Sequence, residues 1–372
     1  MINKFYKRFI NRIIFTVFSL KEKITGDKFF LEFKRNIDSI DDTNDEGVKF
    51  KLKMLNNLFE KNPTHPLLYY YKAFYNSSFG KNPETAYSDM KKYNSIRNEW
   101  MKKKSFQFTK EEFIPTGLLI GALGAHYNIF YYLMNKFNIQ NAPQKPNLLL
   151  KEIDKITNET LYSYFKPHIN VINNIYSYHK LQYTAKILKP AIEFTLPFRN
   201  NYYPCPVAIN FINQANENIP KKKFDYFKLN DVHYDKGKDI LKQMGIPQNA
   251  WYVTLHVREG LGDQIFNSNP STYLKAIEEI TSRGGFVFRV GNKTMTPLPK
   301  MKGLIDYPFT EYKSELMDVF LAATCHFCIG TSSGYWPLPT FFGKPVLLVN
   351  YLPILEYYSL SKQSLFLPKH VV

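Results

Sequence analysis

The chain has few cysteines, and its acidic residues are outnumbered by basic ones. Its 372 residues include three cysteines, Cys205, Cys325 and Cys328, and 32 Asp and Glu against 49 Lys and Arg. So few cysteines exclude a disulfide-stabilised scaffold and suit a reducing compartment. The shortage of acidic residues leaves a formal net charge of +17. That charge favours an anionic partner, which could be nucleic acid, a membrane surface or a phosphorylated ligand.

Several chemical signatures are also missing. Cys325 and Cys328 form a C-x-x-C, but no second pair follows at zinc spacing, so we expect buried free thiols. The eight histidines show no H-E-x-x-H or other metal-binding spacing, and we expect neither a metal site nor a cofactor. No RNP, zinc-finger or helix-turn-helix signature accompanies the positive charge, so we expect no nucleic-acid partner.

The N-terminal apolar stretch lacks a small-residue cleavage site, so we do not expect a secretory signal. Residues 1–23 repeat apolar and basic residues at a helical period. They predict an amphipathic helix that either lies on an anionic membrane leaflet or packs on the protein itself. Residues 113–134 carry no charge, but Gly121 and Gly124 interrupt them, so we expect a strand, a turn and a helix starting at Tyr127. We therefore expect a cytoplasmic protein, peripheral to the inner face of the cell membrane if the first helix binds there.

The 44% apolar and 16% aromatic content excludes a disordered chain, and the length predicts two or three domains. Residues 1–110 predict a helical region with a hairpin whose second helix opens near Pro83. Residues 111–225 alternate apolar runs with helical patterns and predict a first Rossmann-like domain. Residues 226–372 predict a second one. The basic stretch 219–231 has no strong periodicity, and we interpret it as the linker.

The last part of the chain has the clearest pattern. Apolar runs predict strands at 251–257, 286–291, 326–330 and 345–350, and amphipathic runs predict helices at 235–246, 271–285, 314–325 and 335–343. Strands of this kind that alternate with helices are typical of a parallel sheet covered on both faces. Ser271 and Ser314 are the expected N-caps, and Gly284 is the expected C-cap. The predicted fold class is therefore α/β, with two Rossmann-like domains preceded by an N-terminal helical region.

Two loops that follow predicted strands carry the candidate chemistry, because ligands gather at the carboxyl ends of parallel strands. The first contains His256, Arg258, Glu259 and Asp263. The planar fork of Arg258 can bind two phosphate oxygens. Glu259 or Asp263 could act as a general base, and His256 is the remaining alternative. An Arg–Glu surface pair beside a histidine satisfied by the backbone would explain the same residues without catalysis.

The second loop is rich in small residues, Gly330, Thr331, Ser332, Ser333 and Gly334, and runs into a predicted helix. Hydroxyls and free N–H groups at a helix start can cradle a phosphate or diphosphate. The loop lacks the lysine of a P-loop and the G-x-G-x-x-G spacing of a dinucleotide site. A plain β–α turn of small residues remains the alternative.

Three further residues are candidate donor-binding residues. Arg289 and Gly291 close the predicted strand at 286–291, and Arg289 faces either a ligand or a buried partner. Asp306 belongs to a loop that could contact a ligand lying over the sheet.

Taken together, LHVREG, FVFRVGNKTM and CIGTSSGYWPLPTFFGKPVLLVN resemble a family of bacterial GT-B glycosyltransferases related in pattern to the HxR-containing fucosyltransferases. The resemblance covers residues 235–368 and extends faintly to 121–133. It implies that Arg258 binds the donor diphosphate and that residues 331–334 hold phosphate and ribose. That pattern continues after the arginine with a second basic residue and an Asp, whereas here Glu259 follows directly.

The resemblance also implies a division of labour between the two domains. The second would bind a nucleotide sugar, and the first would present an acceptor-side loop containing Gly121, Gly124 and His126. GT-B second domains commonly close with a further helix. The few residues after the last predicted strand therefore lead us to expect an incomplete C-terminus.

The expected activity is transfer of a sugar from a nucleotide-diphosphate sugar to a hydroxyl of a cell-surface glycan or its lipid-linked precursor. Arg258 and the 331–334 amides would stabilise the charge on the departing diphosphate, so a metal is not required. Two alternatives remain: a non-catalytic interaction protein with a nucleotide-sugar-like domain, and a basic nucleic-acid-binding protein.

Overall fold

A computed structural model of the chain describes residues 53, 57, 60, 69, 72–73, 83–103, 113–114, 123–149, 156–172, 195–199, 201–260, 264–352 and 363–370. The helix predicted at 1–23 and the candidate residues Gly121 and Asp263 lie outside these ranges.

The chain divides into two compact units that interleave along the sequence. One comprises Met1–Thr116, Pro146–Ile153 and Val171–Pro204, and the other Gly117–Lys145, Asp154–Asn170 and Cys205–Val372. The linear boundaries expected near residues 110 and 225 stay predictions.

The first unit combines a long helix with short strands. Helix α1, Pro83–Lys103, begins at the proline expected to open the second helix of the hairpin. Its buried face joins residues of the preceding helical segment in one apolar cluster. The cluster contains Tyr69, Ala73, Met90, Tyr93 and Ile96.

Two small sheets complete the described part of this unit. Strands β1 (Phe113–Ile114), β2 (Asn147–Leu149) and β3 (Asn170–Ile172) form one sheet in that order, and β1 and β2 are parallel. Strands β4 (Thr195–Phe198) and β5 (Asn201–Pro204) form an antiparallel hairpin.

The second unit is built on a parallel sheet of six described strands. The strands are β6 (Tyr252–His256), β7 (Phe286–Arg289), β8 (Leu304–Asp306), β9 (Cys328–Gly330), β10 (Val346–Tyr351) and β11 (Leu365–Pro368). Their spatial order is β8-β7-β6-β9-β10-β11, with every neighbouring pair parallel. This is the doubly wound Rossmann order, in which the direction of winding reverses between the first and fourth strands, here β6 and β9. The α/β class expected from the sequence is confirmed.

The described helices of this unit pack around the sheet and its loops. They are α2 (His126–Met134), α3 (Glu159–Phe165), α4 (Cys205–Glu217), α5 (Asp231–Gln243), α6 (Leu274–Ser282), α7 (Glu315–Thr324) and α8 (Pro337–Phe341). Ser314 caps α7 as predicted, because its hydroxyl accepts from the Met317 amide. Gly284 ends α6 as predicted, with φ of 81°.

The predicted cap Ser271 is wrong. Asn269 caps the 3-10 turn Pro270–Tyr273 that leads into α6, since its side chain accepts from the Ser271 amide. Strands β8 and β11 were not predicted. Each is short, and β8 has only three residues, too few to give a period.

No helix in the described ranges is long and apolar enough to cross a membrane. In the uncharged stretch 113–134, α2 has nine residues and follows a 3-10 turn, Leu123–Ala125. The expected turn and helix are therefore present, and the helix starts one residue before Tyr127.

The segment predicted to be a linker is anchored to the second unit by aromatic side chains. The Phe224 ring lies 5.1 Å from Phe130, and the Phe227 ring lies 4.9 Å from Phe165. The Phe227 amide also donates to the carbonyl of Phe341 at 2.8 Å. Both Phe224 and Phe227 are buried.

An amide side chain holds the same segment at its start. Asn138 donates to the carbonyl of Phe224 and accepts from the amides of Lys223 and Phe224. The segment 219–231 is therefore anchored by side-chain and backbone contacts, and its interpretation as a linker between two domains stays a prediction. Its contacts are irregular along the sequence, which is why the segment shows no period.

Substituting Phe224 tests this anchoring. We expect Phe224→Ala to lower the free energy of unfolding by about 3–5 kcal/mol, because a buried ring is removed from a packed cluster. The measurement is the midpoint of urea unfolding. The exposed Lys228 in the same segment supplies the control, and Lys228→Ala should change stability by less than about 0.5 kcal/mol. Equal midpoints for the two variants would contradict the anchoring.

Candidate functional site

The two candidate loops leave the sheet at the point where the strand order reverses. Strands β6 and β9 are hydrogen-bonded neighbours, and His256 at the end of one is aligned with Gly330 at the end of the other. In open α/β sheets, ligands bind in the crevice outside the carboxyl ends of the strands at this reversal. The fold thus brings together two loops that are far apart in sequence.

Hydrogen bonds connect the two loops directly. The Arg258 amide donates to the Thr331 hydroxyl at 2.9 Å, and the Arg258 guanidinium donates to the Ser332 carbonyl at 3.3 Å. The Ser332 hydroxyl accepts from the Leu352 amide and donates to the Leu352 carbonyl. These two hydroxyls were expected to face a phosphate. They instead have protein partners that fix the loops.

A cleft of about 290 Å³ opens beside these loops. Arg258 and Ser333 supply polar groups to its wall, and aromatic rings supply much of the rest. The rings belong to Tyr127, Phe266, Trp336 and Tyr351. Apolar walls with a few convergent polar groups are typical of small-molecule sites. The sequence did not indicate that these rings line a site, because none of them belongs to a recognisable binding motif.

Arg258 is the cation of the cleft. Its guanidinium lies over the Phe266 ring, 5.4 Å from the ring centre, and the side chain is partly exposed. Among the described residues, no carboxylate lies at ion-pair distance from it. The guanidinium fork is therefore available to an anionic ligand, for which its geometry is suited.

Arg289 faces a buried partner, the second of the two arrangements expected for it. Its side chain is 0% exposed, and it donates to Glu259 at 2.9 Å and to Asp306 at 3.0 Å. It also donates to the carbonyl of Thr296. A buried charge needs such compensation. Neither Arg289 nor Asp306 is among the described residues that line the cleft.

Glu259 takes part in the same network. The carboxylate oxygen that accepts from Arg289 also accepts from the Thr296 amide at 3.2 Å. Asp306 uses its second oxygen to accept from the Leu298 amide. The network therefore joins the loops that follow β6 and β7 to the last residue of β8. Glu259 is adjacent in sequence to Arg258, so the network fixes the backbone on which Arg258 stands.

His256 is held against an aromatic ring. Its imidazole stacks on Tyr335 with 5.6 Å between ring centres and a 10° angle between planes. Burial, together with the positive charges of Arg289 and Arg258, lowers the pKa of His256 to about 4. The imidazole is thus neutral at neutral pH and is a weak base.

Part of the predicted acceptor-side loop lies beside the small-residue loop. A Cβ added to Gly124 would lie 3.1 Å from the Gly334 Cα, so the two backbones approach too closely for a side chain. The Tyr127 ring also meets the Trp336 ring at 4.9 Å. His126, by contrast, is fully buried against Phe165 and does not line the cleft.

The helix after the small-residue loop is shorter than predicted. Helix α8 has five residues, Pro337–Phe341, where nine were expected at 335–343. Pro337 and Pro339 have no N–H to offer, and a short helix has a weak dipole. The start of α8 is therefore a weaker source of positive potential at this cleft than the guanidinium of Arg258.

The local structure accounts for the remaining candidate residues, Gly291, Cys325 and Cys328. Gly291 has φ of 145°, and a Cβ there would meet the Met295 sulfur, so the turn after β7 requires glycine. Cys325 and Cys328 are buried free thiols, as predicted. Burial raises the pKa of Cys325 to about 12.

Comparison with known proteins gives structural likenesses only. No protein family model and no curated protein matches the sequence. A glycosyl transferase family 9 structure from Veillonella parvula has 10% identity and a TM-score of 0.43, covering 66% of this chain and 85% of that one. Escherichia coli ADP-heptose LPS heptosyltransferase II has 9% identity and a TM-score of 0.44, with 66% and 87% covered.

A third likeness is to the iron-containing dodecameric glycosyltransferase TibC from enterotoxigenic E. coli, with 15% identity, a TM-score of 0.36, and 67% and 61% covered. All three are glycosyltransferases, and none is described as a fucosyltransferase. Their TM-scores lie below 0.5, so the activity of this chain has to be argued from its own residues.

The lowered pKa of His256 predicts a pH dependence of stability. In the unfolded chain the imidazole takes up a proton below its ordinary pKa of 6.5, whereas the folded chain resists protonation down to a pKa of about 4. Stability should therefore fall as pH drops between these values, by about 2 kcal/mol at pH 5 for this group. The measurement is the free energy of urea unfolding at pH 7 and at pH 5.

In the variant His256→Gln, the difference in unfolding free energy between pH 7 and pH 5 should be smaller by about 2 kcal/mol. The exposed His326, for which His326→Gln is the matched control, should leave the difference unchanged. An identical pH dependence in wild type and His256→Gln would contradict the assignment.

Proposed function

We propose that the protein is a glycosyltransferase that uses a nucleotide-diphosphate sugar as donor. The observation that carries the proposal is the Arg258 guanidinium in an aromatic-walled cleft at the strand-order reversal, without a carboxylate partner among the described residues. A guanidinium that has no carboxylate partner among the described residues can pair with the anionic group of a ligand.

The cleft suits the parts of such a donor. A guanidinium fork matches the oxygens of a diphosphate, and aromatic walls offer flat apolar surfaces to a nucleobase. Tyr127 and Trp336 form one such wall, with Phe266 beneath the guanidinium. The cleft volume of about 290 Å³ is close to the lower end of ligand pockets, about 300–1,000 Å³.

During the proposed reaction, negative charge would develop on the diphosphate oxygens beside the Arg258 guanidinium. The bond between the sugar carbon and the diphosphate oxygen breaks, the acceptor oxygen bonds to that carbon, and the diphosphate leaves with the electron pair. A cation fixed before the reaction stabilises this departing charge. Arg258 would thus act on the leaving group, at the atom where the electron pair arrives.

The proton of the acceptor hydroxyl needs a base. Glu259 is engaged by Arg289 and the Thr296 amide, and His256 has a pKa of about 4. We assign the role to Asp263, five residues after Arg258 in the same loop. Glu259 then acts as a positioning residue for that loop.

The wider setting follows from the same proposal. The acceptor would be a hydroxyl of a cell-surface glycan or its lipid-linked precursor, and the reaction would occur in the cytoplasm or at the inner membrane face. Two of the structural neighbours are described as heptosyltransferases that use or bind ADP-heptose, and we do not transfer that sugar to this chain.

One observation favours a second candidate, a non-catalytic nucleotide-sugar-binding protein. No carboxylate is among the described residues that line the cleft. Turnover of any nucleotide sugar by the purified chain would exclude this alternative.

Nucleotide affinity tests the role of Arg258. We expect ADP, GDP or UDP to raise the melting temperature of the wild-type protein, and Arg258→Ala to bind that nucleotide about 10- to 100-fold more weakly. Arg258→Lys should fall between, because it keeps the charge and loses the fork. Arg283→Ala, which removes an exposed arginine paired with Glu279, is the control. Unchanged affinity in Arg258→Ala, or no binding by the wild type, would contradict the proposal.

The rate of nucleotide release from a nucleotide sugar tests the role of Glu259. Glu259→Gln keeps an acceptor oxygen for Arg289, so we expect a loss of less than about tenfold, whereas removing a general base costs about 10²–10⁴. Asp306→Asn makes the same change at the other partner of Arg289 and should have a similar effect. A loss confined to Glu259→Gln and larger than about a hundredfold would identify Glu259 as the base.

A further inference from the structure

A second concave surface lies on the other side of the aromatic cluster formed by Phe130, Phe165, Phe227 and Phe341. It is a groove of about 450 Å³ between the end of α3 and the segment 223–230. None of its lining residues is shared with the Arg258 cleft. We call it the lysine groove.

The floor of the lysine groove is aromatic. The His168 ring meets Phe224 edge-on at 4.9 Å and lies parallel to Phe227 at 6.3 Å. Tyr164 contacts Phe227 at 5.7 Å. These rings are fixed from behind by the cluster that anchors the segment, so the floor is preformed.

The rim of the lysine groove is basic. Lys223 and Lys228 line it and are exposed, and neither has a carboxylate at ion-pair distance among the described residues. Asp225 is the acidic residue of the lining, and Lys222 lies 3.8 Å from it. Lys145 is close enough to His168 to lower the pKa of that imidazole, although burial is the larger cause. Positive charge thus surrounds the floor on more than one side.

We propose that the lysine groove binds an anionic sugar unit, one that carries a phosphate or a carboxylate. The lysines would pair with the anionic group as point charges, and the ring of the sugar would lie against the partly exposed rings of Tyr164 and His168. Pockets that combine an aromatic lining with a few placed polar groups are typical ligand sites.

The shape of the groove favours a sugar over a membrane surface. Side chains that dock on a bilayer protrude into the interface, whereas Phe224 and Phe227 are buried at the floor of a concavity. A lipid headgroup would have to leave the plane of its leaflet to reach them. If the proposed glycosyltransferase function holds, this sugar unit belongs to the acceptor, and that part of the assignment rests on the function.

The test is a titration of the full chain with glucose 6-phosphate, in which binding is measured by NMR or calorimetry. We expect glucose and inorganic phosphate to bind more weakly than glucose 6-phosphate, because each supplies one of the two contacts. The double variant Lys223→Ala/Lys228→Ala should bind about five- to thirtyfold more weakly. The double variant Lys275→Ala/Lys302→Ala removes two exposed lysines elsewhere and should bind as the wild type does.

A variant that is expected to bind more tightly controls for loss of folding, because misfolding would weaken binding. Asp225→Asn removes the acidic group of the lining and releases Lys222, so it should bind glucose 6-phosphate more tightly. Arg258→Ala should leave this binding unchanged, which separates the lysine groove from the nucleotide site. The proposal is overturned if both double variants bind alike, if glucose binds as well as its phosphate, or if only phosphatidylglycerol vesicles bind.

Discussion

The buried guanidinium of Arg289 joins the carboxyl ends of strands β6, β7 and β8. A cation with no exposed surface must be matched by anions, and Glu259 in the loop after β6 and Asp306 at the end of β8 supply them. Removing both partners would leave an uncompensated buried charge. The hydrogen bonds of Glu259 therefore restrict the backbone of its loop, and this restriction extends to the adjacent Arg258. The cation of the cleft is thus oriented before any ligand arrives, which is the condition under which electrostatic stabilisation is most effective.

Aromatic packing gives the second constraint. Phe130 and Phe341 stand between the cleft, whose wall includes Tyr127, and the lysine groove, whose floor includes Phe227. The same rings therefore support both surfaces from behind. Rings are suited to this because they bury a large area with few rotatable bonds. A change in the centre of the cluster should disturb both surfaces, whereas changes at Arg258 or at the lysine rim should act locally.

Sequence patterns predicted the parallel sheet because β6 and β9 are continuous apolar runs. They could not predict that these two strands are neighbours, since strand order depends on packing between distant segments. For the same reason the sequence left open whether Arg289 faces a ligand or a buried partner. It also gave no sign that Glu259 pairs with Arg289. Phe224 and Phe227 gave no signal because their contacts follow no period. The sequence indicated which segments form strands and helices, and it did not indicate which loops meet.

The basic residues that contribute to the net charge of +17 lie in different surroundings. Arg258 lies in a cleft with aromatic walls, where salt screens a charge less than it does at the surface. Lys223 and Lys228 are exposed at the rim of an open groove, where screening is strong. Binding at the cleft should therefore persist at salt concentrations that weaken binding at the lysine groove. The two surfaces differ in this physical property even if both recognise phosphate, because one uses a fixed planar fork and the other uses hydrated, mobile charges.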